Sequence, residues 1–335
     1  MRGAIHGIWL TGPGGKLHPA IIPNLSSIVD DATAADFYVV LWTNINELAT
    51  EEIARLKAAK IVVADHSACK DSPLYKYFSY FLAKGVKGDT AAFALASDIL
   101  RMAILDFAAA DKYFIYVDPN DVKLLDLSAN LKKLDLRMQN NSLGYSFHVA
   151  PTPSRPEVFE VRNDILIALK KQNLDFFKDY LHIYWINLDR TYKTYEKPTS
   201  DAQARIQANI ISNQTSTMFF RVDSYADQES RVVVQFGKYN ENYKVVNCDL
   251  YLNTERNAES GNTWLPFGET VDVNDELALY NKYIEKLAVA HKQADRSIAN
   301  SISDHAKIIS YTSAFGVLLI ATMIWILYKR KRNAA

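Results

Sequence analysis

The sequence predicts an α/β fold built on a mostly parallel sheet, and three observations carry that prediction. Short unbroken apolar runs (IHGIWL, FYVVLW, KIVVAD, FIYV) recur between residues 5 and 117. Stretches with apolar residues at helical spacing separate them, and glycine- or aspartate-bearing turns close them. An apolar run without alternation marks a strand covered on both faces, and strands alternating with helices make a parallel sheet.

The elements follow in order. IHGIWL is a strand that ends in the turn TGPGG. PAIIPNLSSIVDDATA repeats its apolar residues as a helix does, and DFYVVLWTN is a second buried strand. Residues 47–60 form a helix and KIVVAD a third strand. A helical stretch from 73 to 110 breaks near Gly85-Val86-Lys87-Gly88-Asp89, and the strand KYFIYVD follows. LGYSFHVAP is read as a strand and RNDILIALKKQNLDFF as a helix. From 210 to 255 the pattern is β-rich (TMFFRVDSY, ESRVVVQFGKY, YKVVNCDLYLN), and turn signals allow a hairpin. Residues 275–307 form a polar, Ala-rich helix.

Ile308–Tyr328 carries no charged residue. At 1.5 Å per residue it reaches roughly 30 Å, the thickness of a hydrocarbon core. Tyr311, Trp325 and Tyr328 stand near its ends, and Lys329-Arg330-Lys331-Arg332 follows, which reads as one transmembrane helix with a basic tail. The expected organisation is therefore a head over 1–270, a polar helical stalk over 271–307, an anchor over 308–328 and a basic tail over 329–335. The N-terminus shows no signal-peptide pattern, so the head is expected in the cytosol, tail-anchored, in the producing cell or as an effector in a host cell.

Composition narrows the classes of function. Lys plus Arg number 38 and Asp plus Glu 38, so the chain is formally neutral, which disfavours a dedicated nucleic-acid binder. Cys69 and Cys248 are distant in sequence and make no CxxC pattern, so neither a disulfide framework nor a zinc site is suggested. His6 and His148 border apolar strands and are read as core or rim histidines. Gly12-Pro13-Gly14-Gly15 could bring backbone N–H groups to a phosphate, or serve as a plain turn.

The chemistry concentrates in FALASDILRMAILDFAAADKYFIYVDPNDV. Asp98 and Arg101 lie one helical turn apart and share a face. The strand YFIYV then ends in Asp118-Pro119-Asn120-Asp121. Ligands of open α/β sheets bind beyond the carboxyl ends of the strands. Paired carboxylates there suit a hard divalent cation, although Asp-Pro-Asn-Asp is also a good turn in its own right.

Ile5-His6-Gly7-Ile8-Trp9, Val40-Leu41-Trp42-Thr43, Ala96-Ser97-Asp98-Ile99-Leu100-Arg101 and the acidic strand end together resemble the DXD-containing sugar-nucleotide glycosyltransferases. The resemblance is to the large clostridial toxin domains and the initiating mannosyltransferases. It is clear over about 4–150 and looser over 150–270, and it implies a GT-A, Rossmann-like fold. It also implies a nucleotide-sugar donor, an acceptor that can be a protein, and Mn²⁺ or Mg²⁺. By position, Trp9 would stack on the base, Asp98 and Arg101 would grip the donor sugar, and Asp118 would contact ribose or sugar. Trp264 would belong to a loop over the donor. The metal would be held at the Asp118 turn by Asn120 if the motif aligns without a gap, or by Asp121 if one residue is inserted. The related toxin domains retain the anomeric configuration. The departures are Asp111-Lys112 where the family has Gly-Gly, a longer gap before the turn, and a turn that is not D-x-D. They leave open a catalytically degenerate, membrane-tethered protein that binds a nucleotide-sugar or a partner.

Overall fold

The computed structural model describes residues 1–138, 143–148, 160–172, 174–211, 220–224, 231–234, 244–247 and 252–256. The chain divides into two compact units, Met1–Tyr280 and Asn281–Ala335, and every described residue lies in the first. The expected stalk, anchor and basic tail lie outside the described residues. Among the described residues no helix is long and apolar enough to cross a membrane.

The first half of the head follows the expected alternation. β1 (Gly3–Ile8), α1 (Ile21–Ala34), β2 (Phe37–Thr43), α2 (Thr50–Ala58) and β3 (Val62–Asp65) come first. Then come α3 (Tyr75–Val86), α4 (Ala91–Phe107) and β4 (Tyr113–Val117). The break between α3 and α4 falls at Gly88, whose φ of +92° lies in the left-handed region that only glycine enters freely. β5 (Val122–Leu125) and α5 (Leu127–Met138) follow, then β6 (Leu143–His148) and β7 (Glu160–Ala168). The order closes with α6 (Leu174–Thr191), α7 (Asp201–Ile211), β8 (Phe220–Ser224), β9 (Arg231–Val234), β10 (Lys244–Asn247) and β11 (Asn253–Arg256).

Nine strands form one sheet in the order β3-β2-β1-β4-β7-β6-β10-β9-β8. The half from β3 to β4 is wholly parallel. β7 runs antiparallel between β4 and β6, β10 joins β6 in parallel, and β9 pairs antiparallel with both β10 and β8. All strands but β7 and β9 therefore run one way, so the sheet is mostly parallel in direction while its second half is mixed. β5 and β11 make a separate antiparallel pair.

One expected element is corrected. RNDILIALKKQNLDFF is not a single helix: its first part is strand β7, and α6 starts only at Leu174. Ile165, Leu166, Ile167 and Ala168 are buried because β7 sits between two other strands, with elements on both faces. A continuous apolar run suits that position as well as it suits a buried helix. β5, α5 and α7 were not anticipated. β3 is less buried than its apolar sequence suggests, with Val62 47% exposed at the sheet edge.

Alternation along the strands divides the interior in two. Ile5, Val39, Leu41, Ile115, Val117, Ile165 and Ile167 share one core with Leu25 and Ile28 of α1 and with Leu131 and Leu134 of α5. His6, Phe114, Tyr116 and Leu166 have the opposite parity and face α4. There Arg101 stacks on Tyr116, its guanidinium carbon 3.8 Å from the ring centre. His6 is buried, stacked on Phe114 at 4.8 Å between ring centres, and its Nδ1 accepts a 2.9 Å hydrogen bond from Trp42 Nε1. Burial lowers its pKa to about 3, so it is a neutral core histidine.

Candidate active site

The helix α4 is apolar nearly all round, as a helix packed on both sides must be. A guanidinium within it therefore needs partners. Arg101 has a side chain only 4% exposed and pairs with Asp98 Oδ1 at 3.2 Å. It also donates from Nη2 to the Tyr116 hydroxyl at 2.9 Å. Burial alone would lower the Arg101 pKa, but Tyr116, Asp98 and Asp118 outweigh it and hold the guanidinium charged. The arginine thus ties α4 to β4 through a stacked ring and a hydrogen bond, and it carries the partly exposed Asp98 beside it.

Tyr116 and Asp118 lie two residues apart and so face the same side. The chain then turns sharply. The Asp118 carbonyl accepts from Asp121 N at 3.1 Å and from Val122 N at 2.9 Å, closing one helix-like turn around Pro119 and Asn120. That closure puts Asp118 and Asp121 at an i, i+3 spacing. Asn120 is buried and its Nδ2 donates to Asp121 Oδ1 at 2.8 Å, which braces the carboxylate. Pro119 seats against the end of β1: a Cβ on Gly7 would stand 3.1 Å from Pro119 Cβ. Asn24 of α1 holds the turn from the other side, donating to the Pro119 carbonyl at 3.0 Å.

The strand misread as a helix contributes here. Asp118 N donates to the Asp164 carbonyl at 2.8 Å, so β7 places Asp164 beside the turn. Asp164 is buried and bridged by Arg256 Nε at 2.9 Å, from β11. Three carboxylates, Asp121, Asp164 and Asp98, thus come within electrostatic reach of Asp118. Burial and the neighbouring Asp121 push Asp118 up to about 7, against the pull of Arg101, with Asp164 and Asp98 adding to the rise. Two neighbouring carboxylates in one turn are hard oxygen donors suited to a divalent cation. Among the described residues, no group of three or more His, Cys, Asp or Glu side chains could hold a metal by itself. A Mg²⁺- or Mn²⁺-type ion takes one or two carboxylates and completes its shell with phosphate oxygens and water, and Asp118 and Asp121 are the residues here that could serve one.

Trp9 stands just past β1, its backbone N–H bonded to the Trp42 carbonyl at 2.9 Å. Its indole N–H donates to the Lys16 carbonyl at 3.1 Å, which fixes the ring against the glycine loop. That loop is a plain turn at Gly15: the Gly15 N–H donates to the Gly12 and Glu47 carbonyls, both at 3.0 Å. Cys69 is buried, and burial together with Asp106 pushes its thiol up to about 12, so it is inert. Trp264 lies outside the described residues.

The structure brings Asp98, Arg101, Asp118 and Asp121 to one place, with Asn120 as a brace. Reading the sequence missed Asp164, Arg256 and Tyr184. Tyr184 of α6 is wholly buried, and its hydroxyl has no hydrogen-bond partner among the described residues. Its ionisation is suppressed by burial and then by Asp98, while Arg101 opposes, so its hydroxyl is within electrostatic reach of that pair.

No family model matches the chain, and no curated protein matches it in sequence. Among solved structures the chain is similar to PaToxG glycosyltransferase, at 16% identity and a TM-score of 0.41, over 64% of this chain and 67% of that one. It is also similar to mouse xyloside xylosyltransferase 1 in its apo form, at 11% identity and a TM-score of 0.36, over 57% of this chain and 76% of that one.

Proposed function

We propose that the head is a glycosyltransferase that takes a nucleotide-sugar donor and works with a divalent cation. One observation carries the reading: the pair of buried Arg101 and partly exposed Asp98 and the Asp118–Asp121 turn meet at the carboxyl end of β4, beside the end of β1. These are segments whose residues resemble the DXD-containing transferases, and the end of β1 joins the other two from about 90 positions away in the chain.

In this proposal each residue has a distinct task. Asp118 and Asp121 hold Mn²⁺ or Mg²⁺, with Asn120 keeping Asp121 in place. The metal supplies positive charge opposite the diphosphate of the donor. Asp98 accepts hydrogen bonds from sugar hydroxyls. Arg101, kept charged by Tyr116 and its acidic neighbours, stabilises the negative charge that grows as the sugar–diphosphate bond breaks. Trp9 offers a ring face to the base. The acceptor, a protein among the candidates, and attachment to a membrane through 308–328 belong to the same proposal and rest on the sequence.

The test is a hydrolysis screen in which water stands in for the acceptor. The full chain is incubated in detergent with UDP-glucose, UDP-N-acetylglucosamine and GDP-mannose, with and without Mn²⁺. The expected result is release of free sugar and nucleoside diphosphate from one donor, dependent on Mn²⁺. Tight donor binding without any release would instead support the degenerate, binding-only form of the same site.

A further inference from the structure

We propose that Arg256 is a positioning residue for the metal: acting through Asp164, it closes a ring of contacts that fixes both ends of the Asp118–Asp121 turn. The inference rests on the divalent-cation part of the transferase reading and adds to it a residue from a distant strand.

β11 pairs with β5 outside the main sheet, and most of it faces solvent. Asn253 and Glu255 meet Asp126 and Lys123 at exposed positions, at 3.2 and 3.0 Å. Exposed contacts of this kind add little, and two strands by themselves are marginal. Arg256 differs. Its Nε donates at 2.9 Å to Oδ2 of Asp164, a residue buried in β7. A buried carboxylate needs a cation, and losing that cation is strongly unfavourable. The pair therefore anchors β11 to the main sheet.

The backbone shows what that anchor holds. Arg256 lies opposite Val122, the residue just after the turn, whose N–H donates to the Asp118 carbonyl at 2.9 Å. Asp164 extends the pairing of Ile165 with Val117, and its carbonyl accepts from Asp118 N at 2.8 Å, where the turn opens. The contacts close on themselves. Asp118 joins Asp164 through the backbone, Asp164 joins Arg256 through side chains, Arg256 joins Val122 through the β11–β5 pair, and Val122 returns to Asp118. β7 thus holds the start of the turn and β11 its end, with Arg256 linking the two. A Mg²⁺-type ion demands near-ideal octahedral geometry, so the spacing of Asp118 and Asp121 governs its affinity. Residues that orient metal ligands from behind commonly matter for that reason. Charge alone acts the other way: a guanidinium near the turn repels a cation, and its loss would tighten binding. The sign of the effect separates the two roles.

The test compares wild type with Arg256→Met and Arg256→Lys in the full chain in detergent. Mn²⁺ alone is titrated in, and the free ion is read by its electron paramagnetic resonance signal well below the melting temperature of every variant. Arg256→Met keeps much of the side chain's reach without the guanidinium, and is expected to weaken Mn²⁺ binding about tenfold. Arg256→Lys still offers Asp164 a point charge but not the planar fork, and should fall between the two. Arg2→Met is the control. Arg2 pairs with Asp135 at the opposite end of β1 and β4, so this change should leave Mn²⁺ affinity unaltered whatever it does to the melting temperature. Unchanged or tighter Mn²⁺ binding by Arg256→Met overturns the assignment, and so does equal weakening by Arg2→Met. If Arg256→Met does not fold, Arg256→Lys is read by the same rule: weaker binding supports the assignment, and equal or tighter binding overturns it. If wild type takes up no Mn²⁺, or takes it up equally well after Asp121→Ala, the metal reading itself fails and this inference with it.

Discussion

Two helices of this protein carry the same pattern, a carboxylate with an arginine three residues later, and use it in opposite ways. On α2, Glu52 is tucked in and Arg55 reaches into solvent, with a 2.8 Å bond between them and an arginine 58% exposed. On α4, Asp98 is at the rim and Arg101 is enclosed, 4% exposed. The spacing is identical and the local geometry similar. The difference lies in the strand beneath: Tyr116 and Asp118 of β4 give Arg101 a ring to stack on, a hydroxyl to bond and a second negative charge. The comparison teaches that an i, i+3 ion pair becomes a site only when a strand end supplies the rest of it.

Removing each arginine tests that contrast most strongly. Arg101→Ala should cost about 3–5 kcal/mol of stability, since breaking a buried pair strands its charged partner. Arg55→Ala should cost about 1 kcal/mol or less, as exposed pairs do. Arg101→Lys keeps the charge but not the planar face over Tyr116, and should recover only part of the loss. Urea unfolding of the three variants gives the ranking. Equal costs for Arg101→Ala and Arg55→Ala would erase the distinction between the helices.

The acidic turn gives the next effect in size. Mn²⁺ at about a hundred times its Kd should stabilise the wild type by about 2.7 kcal/mol, a rise of a few degrees in melting temperature. Asp121→Ala should abolish that rise. Asn120→Ala should keep part of it, because the amide braces Asp121 while the carboxylate survives. The reverse ranking would make Asn120 the ligand and align the turn without an inserted residue.

The smallest effect concerns how well the sheet face shared with Tyr116 tolerates a second cation. The pKa of His6 is lowered on folding from 6.5 to about 3, so between those values the unfolded chain binds more protons than the native one. Stability therefore rises with pH across that window and is lost as pH falls through it, by about 2 kcal/mol at pH 5. His6→Gln, which retains an acceptor for Trp42 Nε1, should flatten the melting profile between pH 6.5 and 4.5. A profile with the same slope in both proteins would assign the acid sensitivity to the carboxylates.

How much of this was legible in the sequence depends on distance along the chain. β1, α1, β2, the break between α3 and α4, and β4 are local patterns, and the structure has them where the periodicity indicates. Asp98, Arg101 and Asp118 lie within one short segment, so a helix followed by a strand end was enough to associate them. Asp164 could be found only by placing β7 as a strand between β4 and β6, and its apolar run suits a helix equally well. Tyr184 looks like one aromatic among several in α6, and nothing local shows that its hydroxyl lacks a partner among the described residues. Arg256 reaches Asp164 from across 92 positions in sequence, a contact that only the tertiary fold creates.

The central claim is that the Asp98–Arg101 pair and the Asp118–Asp121 turn form one donor site, and calorimetric linkage tests it most directly. The best-bound nucleotide-sugar is titrated into the full chain at zero and saturating Mn²⁺, in wild type and in Asp98→Asn. The account predicts that Mn²⁺ tightens wild-type binding at least tenfold, about 1.4 kcal/mol of coupling. It also predicts that Asp98→Asn weakens the sugar donor while leaving the Mn²⁺ effect on the nucleoside diphosphate intact. Donor affinity indifferent both to Mn²⁺ and to Asp98 would contradict it.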